Sequence, residues 1–128
     1  MRRGYEKILI VDDEERIRNI YTRLFAERGF IVRQASDAVT ATNILIRENI
    51  GIVLLDIKMP EINGKTMFEV IEEYDPSIKI IISSVYPIDR QRKMIPKAAD
   101  YFDKSQGLTI LLNKIETLSA VGVKSRVG

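Results

Sequence analysis

Short aliphatic runs recur along the chain, and segments with apolar side chains at helical spacing separate them. Three runs are rich in β-branched and aliphatic residues, namely residues 7–11, 52–56 and 78–82, and residues 30–35 predict a further strand. Such runs are typical of strands buried on both faces of a parallel sheet. Residues 101–102 predict a short fifth strand.

The first two intervening segments predict helices with recognisable ends. The first helix follows residues 12–15 and is expected to end at Gly29, which suits a C-terminal cap. Its apolar positions repeat at helical spacing: Ile17, Ile20, Tyr21, Leu24 and Phe25. The second helix is predicted from Ala38 to about Glu48, with Ser36-Asp37 as its N-terminal cap.

Three further helices complete the alternation. Pro60 and Asn63-Gly64 predict a loop and a turn, and the third helix follows and ends before Asp75-Pro76. Its predicted inward side chains are Met67, Val70, Ile71 and Tyr74. The fourth is short, between Pro87 and Pro96. The last carries Leu108, Leu111, Leu112, Ile115 and Leu118.

Five strands that alternate with five helices predict an α/β fold, a doubly wound five-stranded parallel sheet with helices on both faces. We expect one domain over residues 1–120 and a flexible C-terminal tail over residues 121–128. Ligands of such folds bind beyond the carboxyl ends of the strands.

Composition narrows the class of function. The net charge is +2 over 128 residues, too small to indicate nucleic-acid or membrane binding. The chain contains no Cys and no His, which excludes thiolate metal sites and a His-based catalytic triad. No apolar run reaches the length of a membrane span, and the first residues lead into a strand, not a signal-peptide core. We therefore expect a cytoplasmic protein.

Polar side chains with useful chemistry follow four of the strands. They are Asp12 and Asp13, Asp56, Ser83 and Ser84, and Lys104. Parallel strands bring these groups to one edge of the sheet, where crowded carboxylates repel unless a cation lies among them. Oxygen ligands without His or Cys favour Mg²⁺. A cation, an ammonium and a hydroxyl around one carboxylate suit phosphoryl transfer onto that carboxylate.

These residues give the chain its resemblance to the receiver domain of response regulators, the CheY-like family of two-component signalling. The matching motifs are Ile-Leu-Ile-Val-Asp-Asp at 8–13, Leu-Leu-Asp-Ile-Lys-Met-Pro at 54–60 with Gly64, and Asp-Tyr-Phe-Asp-Lys at 100–104. The resemblance covers residues 7 to about 118. It implies the flavodoxin-like strand order 2-1-3-4-5, for which CheY is a standard example.

The resemblance also implies roles for individual residues. Asp56 is the expected phosphoacceptor, and a histidine kinase or histidine phosphotransfer protein the expected donor. Mg²⁺ is expected to bind Asp12, Asp13, Asp56 and the Lys58 main-chain carbonyl. Lys104 would contact the phosphoryl group.

The same family pattern predicts the switch. The strand-four hydroxyl that contacts the phosphoryl group is Ser84 in preference to Ser83, and Tyr101 matches the switch aromatic. A downstream protein would bind the face of helix four, strand five and helix five. Lys58 and Tyr86 border the path by which a water would attack phosphorylated Asp56. Neither side chain is suited to orient that water, so slow dephosphorylation is predicted.

Three departures from the family pattern affect the site. Ser105 stands where Pro usually follows the Lys, so we expect a trans peptide bond and a different loop. Val85 stands where the family usually has a small residue. The interval from Ser84 to Lys104 is shorter than in the common family pattern, and the missing residues fall in helix four.

Two other functions remain open. A receiver-like interaction module that works without phosphorylation would keep the fold and lose the switch, and the departures at Ser105 and helix four leave room for it. A Mg²⁺-dependent phosphohydrolase resembling the haloacid-dehalogenase group would carry an Asp-x-Asp nucleophile after strand one. The adjacent Asp12 and Asp13, and the lone Asp56 after strand three, argue against it.

Overall fold

The computed structural model describes residues 6–59 and 63–119. Its strands are β1 (Lys7–Val11), β2 (Ile31–Ala35), β3 (Ile52–Asp56), β4 (Lys79–Ser84) and β5 (Asp100–Asp103). Its helices are α1 (Glu15–Ala26), α2 (Ala38–Arg47), α3 (Gly64–Tyr74), α4 (Ile88–Met94) and α5 (Leu108–Leu118). No helix in these two ranges is long and apolar enough to cross a membrane. The predicted tail at 121–128 lies outside the described residues.

The five strands form one parallel sheet in the order β2-β1-β3-β4-β5, as the family resemblance implies. Strand residues alternate between two cores, one on each face of the sheet. Ile10, Leu54 and Phe102 pack with α1 and α5, whereas Val11, Leu55 and Tyr101 pack in the core that contains residues of α2 and α3. Helices therefore cover both faces, and the strand ends are left to form the site.

The first helix ends through the predicted glycine. Gly29 has a φ of 92°, a left-handed conformation that residues with a Cβ rarely adopt. The Gly29 N–H donates to Ala26 O at 3.0 Å and the Phe30 N–H to Phe25 O at 3.2 Å, the double closure of a Schellman motif. Because its N–H closes this turn, Phe30 precedes β2, which begins one residue later than the sequence predicted.

Side-chain caps begin two other helices. Asp37 accepts a hydrogen bond from Thr40 N at 2.8 Å and caps α2 as expected. Asn63 accepts from Thr66 N at 2.9 Å, so Asn63 caps α3 and Gly64 is its first residue. The prediction of a turn at Asn63-Gly64 was therefore wrong.

The third helix corrects the predicted inward set. Met67 and Ile71 are buried as expected, but Val70 and Tyr74 are exposed, at 47% and 55%. Phe68 is buried instead, because the inward stripe is centred on the side of Gly64 and Ile71. Tyr74, at the helix end, donates its hydroxyl to Leu45 O at 3.3 Å.

The fourth strand and fourth helix position the residues around the site. Ile78 N donates to Asp75 O in a turn, so β4 begins at Lys79 and includes both serines. α4 has seven residues, as short as the two prolines indicated. Gln91 on α4 is fully buried and donates from Nε2 to Tyr86 O at 2.8 Å and to Phe102 O at 2.9 Å.

Candidate functional site

Two buried carboxylates and one lysine form the centre of the site. Asp12 and Asp56 are 2% and 4% exposed. Lys104 Nζ lies 2.8 Å from Asp12 Oδ2 and 3.3 Å from Asp56 Oδ2. The ends of β1 and β3 and the residue after β5 thus meet at one edge of the sheet, as the sequence predicted.

Backbone groups hold the second oxygen of each buried carboxylate. Asp12 Oδ1 accepts from Glu14 N at 2.9 Å, and Asp56 Oδ1 accepts from Lys58 N at 2.9 Å. These bonds fix both side chains without neutralising their charge. The Arg18 guanidinium donates to Asp12 O at 2.8 Å and so anchors the loop after β1 to α1. No pattern in the sequence predicted this last contact.

Asp13 completes an acidic cluster. Carboxylate oxygens of Asp12, Asp13 and Asp56 all lie within 4.8 Å of one another, and Asp13 is the exposed member. Asp13 does not cap the helix that follows, because Glu14 has the N-cap position of α1, and the Glu14 side chain makes no cap bond there. Three carboxylates against one lysine leave a negative excess, and an all-oxygen donor set of this kind fits Mg²⁺.

Burial, hydrogen bonds and neighbouring charges shift the pKa values of Asp56 and Lys104. Burial raises the pKa of the Asp56 carboxyl, although the Lys58 N–H and the Lys104 charge act in the opposite direction. Burial favours a lower pKa for Lys104, but its hydrogen bond to Asp12 and the charge of Asp56 raise the pKa overall. Lys104 is therefore an ammonium ion at neutral pH.

A cleft open to solvent leads to this centre. Its lining includes Asp13, Asp56, Lys58, Val85 and Lys104. Gly64 closes the base of the adjoining loop: its N–H donates to Ile57 O at 3.2 Å, and a Cβ there would lie 2.3 Å from Ile57 Cα. Only glycine allows this approach. The position of Gly64 in the motif therefore has a steric cause.

The two serines of β4 face different surroundings. Ser83 is in register with Asp56, and its buried Oγ has no hydrogen bond of ordinary geometry within the described residues. Ser84 follows on the opposite face, where its Oγ accepts from Tyr86 N at 3.1 Å. The assignment of the switch hydroxyl to Ser84 stays a prediction, and the register with Asp56 favours the alternative, Ser83.

Tyr21 adds a polar group beneath the site that the sequence treated only as an apolar position of α1. Tyr21 is 3% exposed and packs in the same core as Ile10, Leu54 and Phe102. Each of these three precedes a site residue by two positions. Burial raises the pKa of the Tyr21 hydroxyl, and the neighbouring Lys104 ammonium and Ser83 hydroxyl act to lower it. Helical spacing could predict that Tyr21 is buried but not that its hydroxyl lies near Lys104 and Ser83.

Tyr101 and Tyr86 take different positions next to α4. Tyr101 is 4% exposed, and its hydroxyl donates to Ile95 O. The Tyr86 ring lies under two cations, with its centroid 4.0 Å from the Arg90 guanidinium carbon and 6.0 Å from Lys58 Nζ. Lys58 and Tyr86 thus lie together beside the cleft.

The peptide bond after Lys104 is trans, as the absence of proline predicted. Asp103 Oδ1 accepts two hydrogen bonds from Ser105, one from N at 2.9 Å and one from Oγ at 2.7 Å. These bonds to Ser105 hold the pKa of the Asp103 carboxyl below its usual range. The loop therefore has a defined structure of its own.

Sequence comparisons identify relatives over most of this chain. The response regulator receiver domain family matches residues 8–116. Sporulation initiation phosphotransferase F of Bacillus subtilis is 36% identical over 81 residues, which are 63% of this chain and 65% of the relative. A putative NtrX-like response regulator of Rickettsia bellii is 35% identical over 114 residues, 84% of this chain but 24% of that protein. The chain thus spans less than two thirds of these curated relatives.

Structural comparisons agree with the sequence matches. TrrA of Thermotoga maritima, solved with Mg²⁺ and beryllofluoride, has a TM-score of 0.81 and 30% identity over 89% of this chain and 99% of TrrA. TrrA in complex with the histidine kinase ThkA gives a TM-score of 0.82 over 90% of this chain and 99% of that one. A CheY-like receiver of Methanospirillum hungatei has a TM-score of 0.83 and 27% identity over 90% and 94%. With the matched fold, motifs and strand-end cluster, this chain belongs to the response regulator receiver domain family.

Proposed function

We propose that this receiver domain accepts a phosphoryl group on Asp56 in a Mg²⁺-dependent reaction and thereby changes its affinity for a partner protein. The observation that carries the proposal is the pairing of buried Asp56 with Lys104 inside a cluster of three carboxylates. A nucleophilic carboxylate needs cationic neighbours to accept a phosphoryl group, because the group brings further negative charge. The nucleophilic carboxylate and its cationic neighbour both lie at this edge of the sheet.

The position of each residue indicates its role in this reaction. Asp56 Oδ2 is the oxygen aligned with Lys104, while Oδ1 is held by the Lys58 N–H, so the carboxylate has a fixed orientation. Asp12, Asp13, Asp56 and the Lys58 carbonyl would hold Mg²⁺, which when bound offsets the charge of the phosphoryl oxygens. Lys104 would contact the phosphoryl group and provide a second cation beside Mg²⁺.

The donor is a phosphohistidine on a histidine kinase or a histidine phosphotransfer protein. This chain contains no His of its own, so the donor group must come from another protein or a small phosphodonor. The ThkA complex of TrrA supports a kinase as the class of partner. We propose that the domain acts in the cytoplasm. The domain itself spans residues 1–120 and is a signalling module, with no reaction beyond its own phosphorylation and dephosphorylation.

The switch would pass from the hydroxyls at the end of β4 to Tyr101. Ser83 is in register with Asp56, so movement of Ser83 toward the phosphoryl group would shift Ser84, whose Oγ accepts from Tyr86 N, and so free the loop between β4 and α4. Tyr101, buried with its hydroxyl on Ile95 O, would then reorient, and the face of α4, β5 and α5 would change for a downstream protein.

The decisive experiment is incubation with acetyl phosphate and Mg²⁺, followed by intact-mass measurement. We expect the mass of one phosphoryl group to appear with Mg²⁺ and to be absent with EDTA. A chain that binds partners but never gains this mass would be the phosphorylation-independent interaction module. Release of inorganic phosphate from many phosphomonoesters would instead indicate a phosphohydrolase.

A further inference from the structure

The loop that follows β5 holds Lys104 by its backbone on both sides. On one side, Lys104 N donates to Ser84 O at 2.8 Å, the last backbone bond between β4 and the end of β5. On the other side, Asp103 Oδ1 accepts from Ser105 N and Oγ at 2.9 and 2.7 Å, and Gln106 N donates to Asp103 O at 2.8 Å. Lys104 is thus the central residue of a closed turn.

The position of the Lys104 backbone decides where its ammonium lies. A lysine side chain is a flexible four-carbon stem, so its end is fixed only when both the backbone and the charged group are held. Asp12 and Asp56 hold the ammonium at 2.8 and 3.3 Å. Mg²⁺ and a phosphoryl group would compete for these same carboxylates, and the turn would then be the remaining constraint on Lys104.

Ser105 occupies the position at which the family pattern has proline. Proline fixes φ and has no N–H, so a loop with proline needs no acceptor at that point. Ser105 has an N–H, and no ring fixes its φ. The two hydrogen bonds to Asp103 restrain the Ser105 backbone instead. We propose that Asp103 and Ser105 act as positioning residues that hold Lys104 against the phosphoryl group. This inference rests on the proposed role of Lys104 in phosphoryl binding.

The chain provides a matched control for this turn. Asp75 Oδ1 accepts from Ser77 N at 3.0 Å and from Ser77 Oγ at 2.7 Å, the same pair of bonds across one intervening residue. This second turn lies between α3 and β4, at the opposite end of the sheet from Asp56. In both turns the bonds to serine lower the pKa of the aspartate. The two differ in the residue they enclose, Pro76 in one and Lys104 in the other.

The test compares Asp103→Ala and Ser105→Ala with Asp75→Ala and Ser77→Ala. The binding of Mg²⁺ alone is measured by amide NMR shifts, and the binding of beryllofluoride is then measured at saturating Mg²⁺. We expect the variants at 103 and 105 to lose about threefold to tenfold in beryllofluoride affinity, as for the loss of one or two hydrogen bonds. Their Mg²⁺ affinity should stay within about twofold of the parent, because the acid cluster is intact. The variants at 75 and 77 should change neither affinity.

A second measurement follows Lys104 at saturating Mg²⁺, which competes for Asp12 and Asp56, and without any phosphoryl analogue. Solvent exchange of the Lys104 ammonium protons, observed by ¹⁵N NMR, should be slow in the parent and in Asp75→Ala, and faster in Asp103→Ala. The double variant Asp103→Ala with Ser105→Pro should recover beryllofluoride affinity, because proline restores the restraint on φ.

The outcomes separate this inference from the proposed function. If the parent gains no phosphoryl group, the proposed function fails, and ammonium exchange still decides whether the turn holds Lys104. Equal exchange rates in the parent and in Asp103→Ala would overturn the positioning role. So would an equal loss of beryllofluoride affinity in Asp75→Ala, which would reveal a general effect on stability.

Discussion

Two three-membered ion clusters lie near opposite ends of β1, and they differ in burial and in the sign of their excess charge. At the carboxyl end, Lys104 lies between Asp12 and Asp56, and the side chains are 10%, 3% and 6% exposed. At the amino end, Glu48 lies between Lys7 and Arg33 at 3.4 and 2.9 Å, and these side chains are 25–42% exposed. The same kinds of groups at similar distances thus occupy two very different environments.

The difference indicates which cluster has a function. Water screens the amino-end cluster, so its ion pairs contribute little to stability and tolerate an extra cation. The carboxyl-end cluster holds two negative charges in a buried place with one cation, and Asp13 adds a third carboxylate at the surface. An unbalanced buried cluster costs folding free energy unless a ligand completes it. Burial together with imbalance therefore marks the site more clearly than the presence of ion pairs.

Replacement of the phosphoacceptor should produce the largest effect. Asp56→Asn removes the nucleophilic oxygen but keeps the shape of the side chain, so we expect no phosphoryl mass gain from acetyl phosphate. Intact-mass measurement checks this, with Glu48→Gln at the other cluster as the control. Full labelling of Asp56→Asn would place the phosphoacceptor elsewhere.

Loss of the exposed acid should weaken the metal site. Asp13→Ala removes one carboxylate without a cavity, and we expect Mg²⁺ affinity to fall by at least about tenfold, as for groups that support a bound metal. Amide shift titration with Mg²⁺ measures it. Binding as tight as that of the parent would exclude Asp13 from the ligands.

Removal of the side chains that border the cleft should shorten the lifetime of the phosphorylated form. Lys58 and Tyr86 lie together beside the cleft, and neither has a carboxylate or amide to orient a water in line with the phosphorus. Lys58→Asn with Tyr86→Ala should accelerate phosphoryl loss several-fold. The decay of intact mass after removal of the donor tests this, and an unchanged decay would contradict it.

The pH dependence of stability should separate the clusters further. Burial raises the folded-state pKa of Asp56, so the folded protein holds that proton more tightly than the unfolded chain does. The contribution of Asp56 to the free energy of unfolding is therefore favourable below its ordinary pKa of 3.8 and is lost as the pH rises through the folded value. Without Mg²⁺, Asp56→Asn should unfold at higher urea than the parent at neutral pH. Equal midpoints from pH 5 to 8 would contradict an excess of buried negative charge at this cluster.

The amino-end cluster should give the smallest effect. In Glu48→Gln the carboxylate that pairs with Lys7 and Arg33 is lost, but water screens both cations. We expect little change in thermal stability and a phosphorylation rate equal to that of the parent. A large loss of phosphorylation in this variant would mean that the two ends of β1 are coupled.

The sequence was sufficient to predict the parallel sheet and its edge. Aliphatic runs without alternation identified the strands, and the polar residues that follow them identified Asp12, Asp56 and Lys104 as neighbours. The contacts that depend on loop backbone or on helix phase were not predictable in this way. Val70 and Tyr74 have apolar or aromatic character, yet the rotation of α3 directs Phe68 inward in their place.

Polar residues inside helices were the other source of missed contacts. Gln91 sits in a charged segment and has nothing in its spacing that indicates burial. Its contact partners are two backbone carbonyls, which no side-chain pattern reports. For the same reason the Arg18 bond to the Asp12 carbonyl could be seen only once α1 had been placed against β1.

The buried amide of Gln91 has a consequence for the way the protein opens locally. α4 has seven residues and no side-chain bond at its N-cap, so it is far shorter than the roughly 12–15 residues at which isolated helices become even marginally stable. Its stability depends on tertiary contacts, among them the packing of Ile88 and Ile95 in the core and the two bonds that join Gln91 to Tyr86 and Phe102. We therefore expect α4, the loop before it and the β5 edge to form one cooperative unit in amide hydrogen exchange, and that unit to open before the central strands do.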